Sequence, residues 1–254
     1  MTRVVVPVLG VPLSAQQYDA AIAELLAWAT GSAHRIHFAT VHSIVEAQAN
    51  TALKAAFDSA DVVATDGIPL VWVVRRRGAG GAQRVCGPDV MESLCDLGRA
   101  AGLRHYFLGG NPGVPERLAA RLTERFPGLL TAGTESPPFR PLSTDEDAAL
   151  VERINATKPH VVWVGLGSPK QELWAADHQE RLSAGLILPV GAAFDFHSGR
   201  VRRAPSWMQR AGLEWLFRLA MDPRRLFRRY VVTNTKFALL VAKEEISRRR
   251  SRST

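Results

Sequence analysis

Long apolar runs, cysteine and lysine are all scarce in this chain of 254 residues. No stretch approaches the roughly 20 consecutive apolar residues that a membrane-crossing helix needs. The opening MTRVVVPVLGVPLS is interrupted by proline and has no small-residue cleavage site, so neither a spanning segment nor a secretion signal is expected. The two cysteines, Cys86 and Cys95, form no CxxC pair and have no histidine at finger spacing. That excludes a disulfide scaffold and a zinc ribbon and suits a reducing compartment. Also missing are G-x-G-x-x-G and GxxxxGK[ST], so a dinucleotide site and a P-loop both lack their fingerprint.

What is present is a globular composition, 46% hydrophobic and 22% charged, with a lopsided charge. Residues 1–199 carry 17 Lys+Arg against 20 Asp+Glu, a net of −3, whereas residues 200–254 carry 15 against 4, a net of +11. Only 5 of the 32 basic residues are lysine, and 13 of the 27 arginines fall in the last 55 positions. A high-GC genome accounts for arginine over lysine, but not for where the arginines sit. The expected division is an α/β body over 1–199 and a basic helical appendage over 200–254 that meets something anionic.

Short β-branched runs alternate with amphipathic stretches of helical length through the first 190 or so residues, the pattern of a mostly parallel, Rossmann-like sheet flanked by helices. Strands are expected at Val4–Val8, Arg35–Ala39, Val62–Thr65, His105–Leu108, Leu129–Ala132, His160–Leu166 and Leu186–Val190. Helices are expected from a Ser14 cap to Ala29, then at Ser43–Phe57, Pro88–Ala101, Pro115–Phe126, Asp145–Asn155 and Lys170–His178, with a proline-rich loop at 134–144. After Gly199 helix takes over. Pro205–Ala220 reads as one amphipathic segment, followed by a helix whose Arg224, Arg225, Arg228 and Arg229 lie opposite Leu226, Tyr230, Phe237 and Val241. Tryptophans beside arginines suit a bilayer interface. Alternatively, the aromatics pack on the sheet or on a sister subunit in a homo-oligomer.

Open parallel sheets bind ligands outside the carboxyl ends of their strands, which directs attention to the residues that follow each strand. Asp66 ends one strand before Gly67; it is either a poised acid or a helix cap. Gly109 and Gly110 form a strand-to-helix turn whose amides could approach a phosphate or sugar. Gln171 in the first turn of a helix is either a sugar or base ligand or a solvated residue, and Asp195 between Phe194 and Phe196 either binds a ribose or uracil or caps a turn.

Six ordered segments carry a resemblance: DGIPLVW at 66–72, RVCGPDVM at 84–91, FLGGNPGV at 107–114, GLGSPKQE at 165–172, GAAFDFHSGRVRRAPSWMQRAGLEWLFRL at 191–219 and DPRRLFRRYVVTN at 222–234. Over roughly residues 35–243 the chain resembles the WecG/TagA/CpsF family of glycosyltransferases. The resemblance implies inverting transfer of N-acetylmannosamine, its uronate or a related hexose from a UDP-sugar to an undecaprenyl-diphosphate-linked sugar, in cell-envelope or exopolysaccharide synthesis. It places the general base at Asp66, the sugar pocket at Thr40, Arg84 and Gln171, and the nucleotide end at Asp195. The family's C-terminal appendage, whose arginines complete the active site at the membrane, matches the stretch containing Arg218, Arg225 and Arg228. One departure matters: the family usually has T-x-N where this chain has Thr40-Val41-His42, so His42 bears on donor identity.

Such a transfer needs a base for the acceptor hydroxyl and positive charge for the departing diphosphate. Many glycosyltransferases supply the charge with a metal on a D-x-D motif. In this chain DED at 145–147 falls at an expected helix start and DFH at 195–197 offers one acid, so the arginines are expected to serve and no metal or other cofactor is expected. The expected location is cytoplasmic, peripheral on the inner face of the membrane. A nucleic-acid partner is not expected, since no helix-turn-helix, RRM or zinc-finger pattern accompanies the basic tail. A noncatalytic UDP-binding module is the alternative, against which Asp66, Arg84 and Gln171 together argue.

Overall fold

The computed structural model describes residues 3–251, with the side chains of Arg210, Arg225, Arg228 and Arg229 outside the described residues. Eight strands form one sheet: β1 (Val4–Val8), β2 (Val11–Ala15), β3 (His34–Ala39), β4 (Val62–Thr65), β5 (Arg104–Gly109), β6 (Leu130–Glu135), β7 (Val161–Gly165) and β8 (Leu186–Pro189). Their order is β1-β2-β4-β3-β8-β7-β5-β6, and every neighbouring pair except β1–β2 is parallel. The central strands β4 and β8 are buried along their whole length, as near-continuous apolar runs in a sheet covered on both faces should be. Side chains alternate between the faces: Val161 and Trp163 of β7 enter one core cluster, Val162 and Val164 another.

The helices are α1 (Tyr18–Trp28), α2 (Val41–Ala47), α3 (Thr51–Asp58), α4 (Ile68–Arg76), α5 (Gly87–Leu97), α6 (Val114–Arg125), α7 (Thr144–Ala156), α8 (Lys170–His178), α9 (Ala193–His197), α10 (Ser206–Arg210), α11 (Glu214–Met221) and α12 (Pro223–Arg250). Helices α1, α5, α6 and α9 bury their apolar residues against one face of the sheet; α2, α3, α4, α7 and α8 cover the other.

Four expectations are corrected. Ser14 does not cap a helix but lies in β2, and α1 starts at Tyr18. The β1–β2 hairpin turns on Leu9 (φ +49°) and Gly10 (φ +76°), the left-handed pair of a tight hairpin, and Pro7 faces Pro12 at the sheet edge where missing donors are tolerated. The stretch 43–57 is two helices, because Asn50 accepts a bond from the Leu53 amide at 3.0 Å and caps a new start. The loop at 134–144 begins later than expected, since β6 runs to Glu135. Finally, 205–220 is interrupted at Gly212 (φ +73°), leaving two short helices.

The last helix crosses the molecule. Phe237 of α12 is buried with Ile44 and Val45 of α2, while the Glu244 carboxylate accepts from the Leu9 amide at 3.1 Å and from Arg77 at 2.7 Å. Leu9 and Arg77 both stand at the edge opposite the carboxyl ends of the parallel strands. Since α11, which leads into α12, opens at the carboxyl rim, where Glu214 accepts from Arg84 at 2.9 Å, α12 runs from the rim side to the far edge. Among the described residues, no helix is long and apolar enough to cross a membrane. The Arg77 side chain is only 2% exposed and also pairs with Glu245 at 2.6 Å. Arg77→Ala strands these acceptors and should cost about 1–3 kcal/mol. An unchanged urea midpoint would show that the clasp contributes nothing.

Candidate active site

The sheet order sets the loops after β4, β3, β8 and β7 side by side along one rim. Thr40 follows β3 and caps α2: its hydroxyl accepts from the Ser43 amide at 3.2 Å, while the Ser43 hydroxyl accepts from the Thr40 amide at 2.9 Å. His42, in the first turn of that helix, lies 3.5 Å from Glu46 with its ring partly exposed. Gly109 and Gly110 end β5. A Cβ on Gly109 (φ +119°) would lie 2.6 Å from the Gly165 backbone, so the adjoining ends of β5 and β7 approach as closely as glycine permits.

Asp66 does not cap α4, whose Gly67 cap makes no side-chain bond. Its amide donates to the Ala39 carbonyl at 3.0 Å, which ties the ends of β3 and β4, and its carboxylate meets Arg84. Arg84 holds both parts of that residue: Nε donates to the Asp66 carbonyl at 2.5 Å and Nη2 to its Oδ1 at 3.1 Å. The same Nη2 donates to Glu214 Oε2 at 2.9 Å. Glu214 in turn accepts from Arg203 at 3.3 Å, and Arg203 pairs with Asp89 at 2.6 Å. Charges therefore alternate from Asp66 through Arg84, Glu214 and Arg203 to Asp89. Side-chain exposures of 19%, 19% and 12% for Asp66, Arg84 and Glu214 leave the near end of this series shielded but reachable.

Burial pushes the Asp66 carboxyl above the usual aspartate range; Arg84 opposes the rise and Glu214 reinforces it. For Asp89, burial acts upward too, but the Arg203 hydrogen bond and charge win and its pKa falls. The two acids at opposite ends of the series are thus set apart, with Asp66 the more basic.

On β7's side, the Gln171 amide oxygen accepts from the Gly167 amide at 3.2 Å and its nitrogen donates to Glu172 at 3.1 Å. Gln171 is buried rather than solvated and packs on Gly191, just after β8. Burial raises the neighbouring Glu172 carboxyl, with the Gln171 hydrogen bond pulling the other way. Asp195 lies on α9, 3.4 Å from Arg200, and next to it Arg218 of α11 stands 5.7 Å from the centre of the Phe196 ring. Arg225 and Arg228 belong to α12, but their side chains lie outside the described residues. A cavity of about 550 Å³ lined by Arg121, Arg125, Phe196, His197 and Arg203 adjoins the Arg203 end of this series, beside the last turns of α6.

Of the residues singled out from sequence, Asp66 and Arg84 are in direct contact; Gln171 and Asp195 stand on α8 and α9, the helices that follow the neighbouring strands β7 and β8. Sequence reasoning missed Glu214, Arg203, Asp89 and Glu172. All four lie inside the six motifs, but no local spacing joins Glu214 to a partner 130 positions away.

With this geometry in view, the chain's relationship is plain: residues 6–251 match the Glycosyl transferase WecG/TagA/CpsF family, and the chain belongs to it. The match is broader than the span of the six motifs and takes in most of β1, all of α12 and every loop of the rim. The protein is a glycosyltransferase.

Because Arg84 restrains the Asp66 carboxyl, removing the guanidinium has a definite sign. In Arg84→Met the Asp66 pKa should rise further, as followed by carbon-13 NMR titration of the carboxyl carbon. A fall would mean that Arg84 does not stabilise the ionised carboxylate.

Proposed function

We propose that this glycosyltransferase inverts the anomeric centre of a UDP-sugar as it transfers the sugar to a lipid-diphosphate-linked acceptor sugar, with Asp66 as general base. The observation that carries the reading is the shielded Asp66 carboxylate at a strand end, raised by burial and anchored by Arg84. A base for a sugar hydroxyl works best with a pKa nearer the operating pH than an ordinary aspartate's. In a single displacement the acceptor oxygen bonds to the anomeric carbon as the bond to the UDP oxygen breaks, and the hydroxyl proton passes to Asp66. Gln171, with both ends of its amide engaged and its nitrogen retaining a second hydrogen, suits a donor to the sugar. Thr40 and His42 line the same stretch of rim, and the imidazole where the family usually has asparagine bears on which sugar is accepted. Gly109, Gly110 and Asp195 suit the nucleotide end.

Negative charge on the departing diphosphate is assigned to Arg218, Arg225 and Arg228, permanently charged forks suited to phosphate oxygens. No metal is invoked. The acceptor is read as undecaprenyl diphosphate bearing a sugar, the setting as cell-envelope or exopolysaccharide synthesis, and the location as the cytoplasmic face of the membrane. Segment 200–254 is read as the membrane-facing appendage to a catalytic body over 1–199. Supporting that reading, Trp207, Trp215, Leu216, Met221 and Phe227 are exposed, and an apolar groove of about 630 Å³ runs between α11 and α12 beside Arg224.

The test is UDP release from a panel of UDP-sugars, with a short-chain lipid-diphosphate-sugar acceptor presented in anionic vesicles. Asp66→Asn keeps the shape and loses the basicity, so kcat should fall by about 10²–10⁴ while UDP affinity stays near wild type. Full turnover in that variant would overturn the assignment.

A further inference from the structure

Glu214 is the least expected member of the rim. It opens α11, well beyond the last strand of the sheet, yet its carboxylate reaches back to the guanidinium nitrogen that also serves Asp66. One nitrogen, Arg84 Nη2, is shared between two carboxylates at 3.1 and 2.9 Å. The other Glu214 oxygen is held by Arg203, which is itself fixed by Asp89. The groups facing Asp66 are thus Arg84 before α5, Cys86 at its start, Asp89 in its first turn, and Glu214 on α11. Of these, Glu214 is the acid that competes directly for Arg84.

We propose that Glu214 is a positioning residue that acts through Arg84: by taking part of its charge and hydrogen bonding, it keeps Asp66 a competent base and ties base strength to the seating of α11. The proposal rests on the reading of Asp66 as the base.

The sign follows from electrostatics. A second carboxylate on the same guanidinium reduces the favourable field Asp66 feels and adds repulsion, so the protonated form of Asp66 is relatively favoured. Without the Glu214 charge, Arg84 turns wholly to Asp66, whose proton affinity drops. Two consequences separate this from a merely structural role. The acid limb of the kcat/KM profile moves to lower pH, because Asp66 stays ionised further down. On the plateau above the limb the rate falls, because a weaker base assists proton removal less. The ratio of variant to wild-type activity therefore rises as the pH is lowered.

The experiment is the pH profile of UDP release by Glu214→Gln, which keeps the side chain's size and one acceptor oxygen for Arg84 while removing the charge and the acceptor for Arg203. The expected result is an acid limb about 0.5–1 pH unit lower and a plateau kcat about 2–5-fold lower, with carbon-13 titration of the Asp66 carboxyl shifted the same way. Should Glu214→Gln fail to fold, Glu214→Asp, which draws the charge back by one methylene, should move the limb in the same direction by less. A limb that superimposes on wild type, or an Asp66 titration that does not move, would overturn the proposal. Asp66→Asn run in parallel keeps the two ideas apart. If that variant turns over normally, the base assignment has failed; if it is slow while the Glu214→Gln profile is unshifted, only the role of Glu214 has failed.

Discussion

The Arg84 guanidinium binds the backbone and side chain of Asp66 at the end of β4 and the side chain of Glu214 at the start of α11, joining the parallel sheet to the helices that follow it. The arrangement of the rim hangs on that junction. A carboxylate taken this far out of water is costly unless it is paired; Asp66 draws on Arg84, which it shares with Glu214, and Glu214 draws on Arg203 as well. The same sharing prevents full neutralisation. Asp66 is therefore held where it is while burial, reinforced by the Glu214 charge and opposed by Arg84, keeps its carboxyl above the usual aspartate range.

Sheet geometry supplies the second constraint. Parallel strands put their carboxyl ends on one side, and the order β4-β3-β8-β7 brings the loops carrying Asp66, Thr40, Gly191 and Gln171 into sequence along that side. Backbone bonds fix their heights: the Asp66 amide to the Ala39 carbonyl, and the Gly110 amide to the Gly165 carbonyl at 2.9 Å. The close approach at Gly109 leaves no room for a side chain, so the β5 and β7 turns are held in register by packing as well as by hydrogen bonds. Away from the rim, α12 closes over α2 and is clasped by Arg77, which makes the C-terminal helix part of the packed core and not a free tail at that end.

Much of this was legible in the sequence because it depends on local periodicity. Fully buried strands such as Val62–Thr65 and Leu186–Pro189 read as apolar runs, and the residues immediately after them read as rim positions. What failed depended on single-residue geometry or on distance. Leu9-Gly10 is not a typical hairpin pair, so the sequence carries no clear signal for β2, and Ser14 reads as a helix cap although it lies in that strand. Asn50 divides one apparent helix because its side chain caps a second. Asp66 as helix cap or poised acid could not be decided locally, since its partner Arg84 lies 18 positions on, and Glu214 lies 130 beyond that. Charge patterning signalled a basic C-terminal region; it could not signal that one of the few acids there would face inward.

If a deprotonated Asp66 assists a single displacement at the anomeric carbon, the stereochemistry of the product must record it. The decisive observation is the anomeric configuration of the freshly formed product, read by NMR from the coupling of the anomeric proton, with a UDP-sugar donor of known configuration. Inversion is expected, an α-linked donor giving a β-linked product. Retention would require two displacements or front-face attack, and would contradict the role of Asp66 as base in a single step.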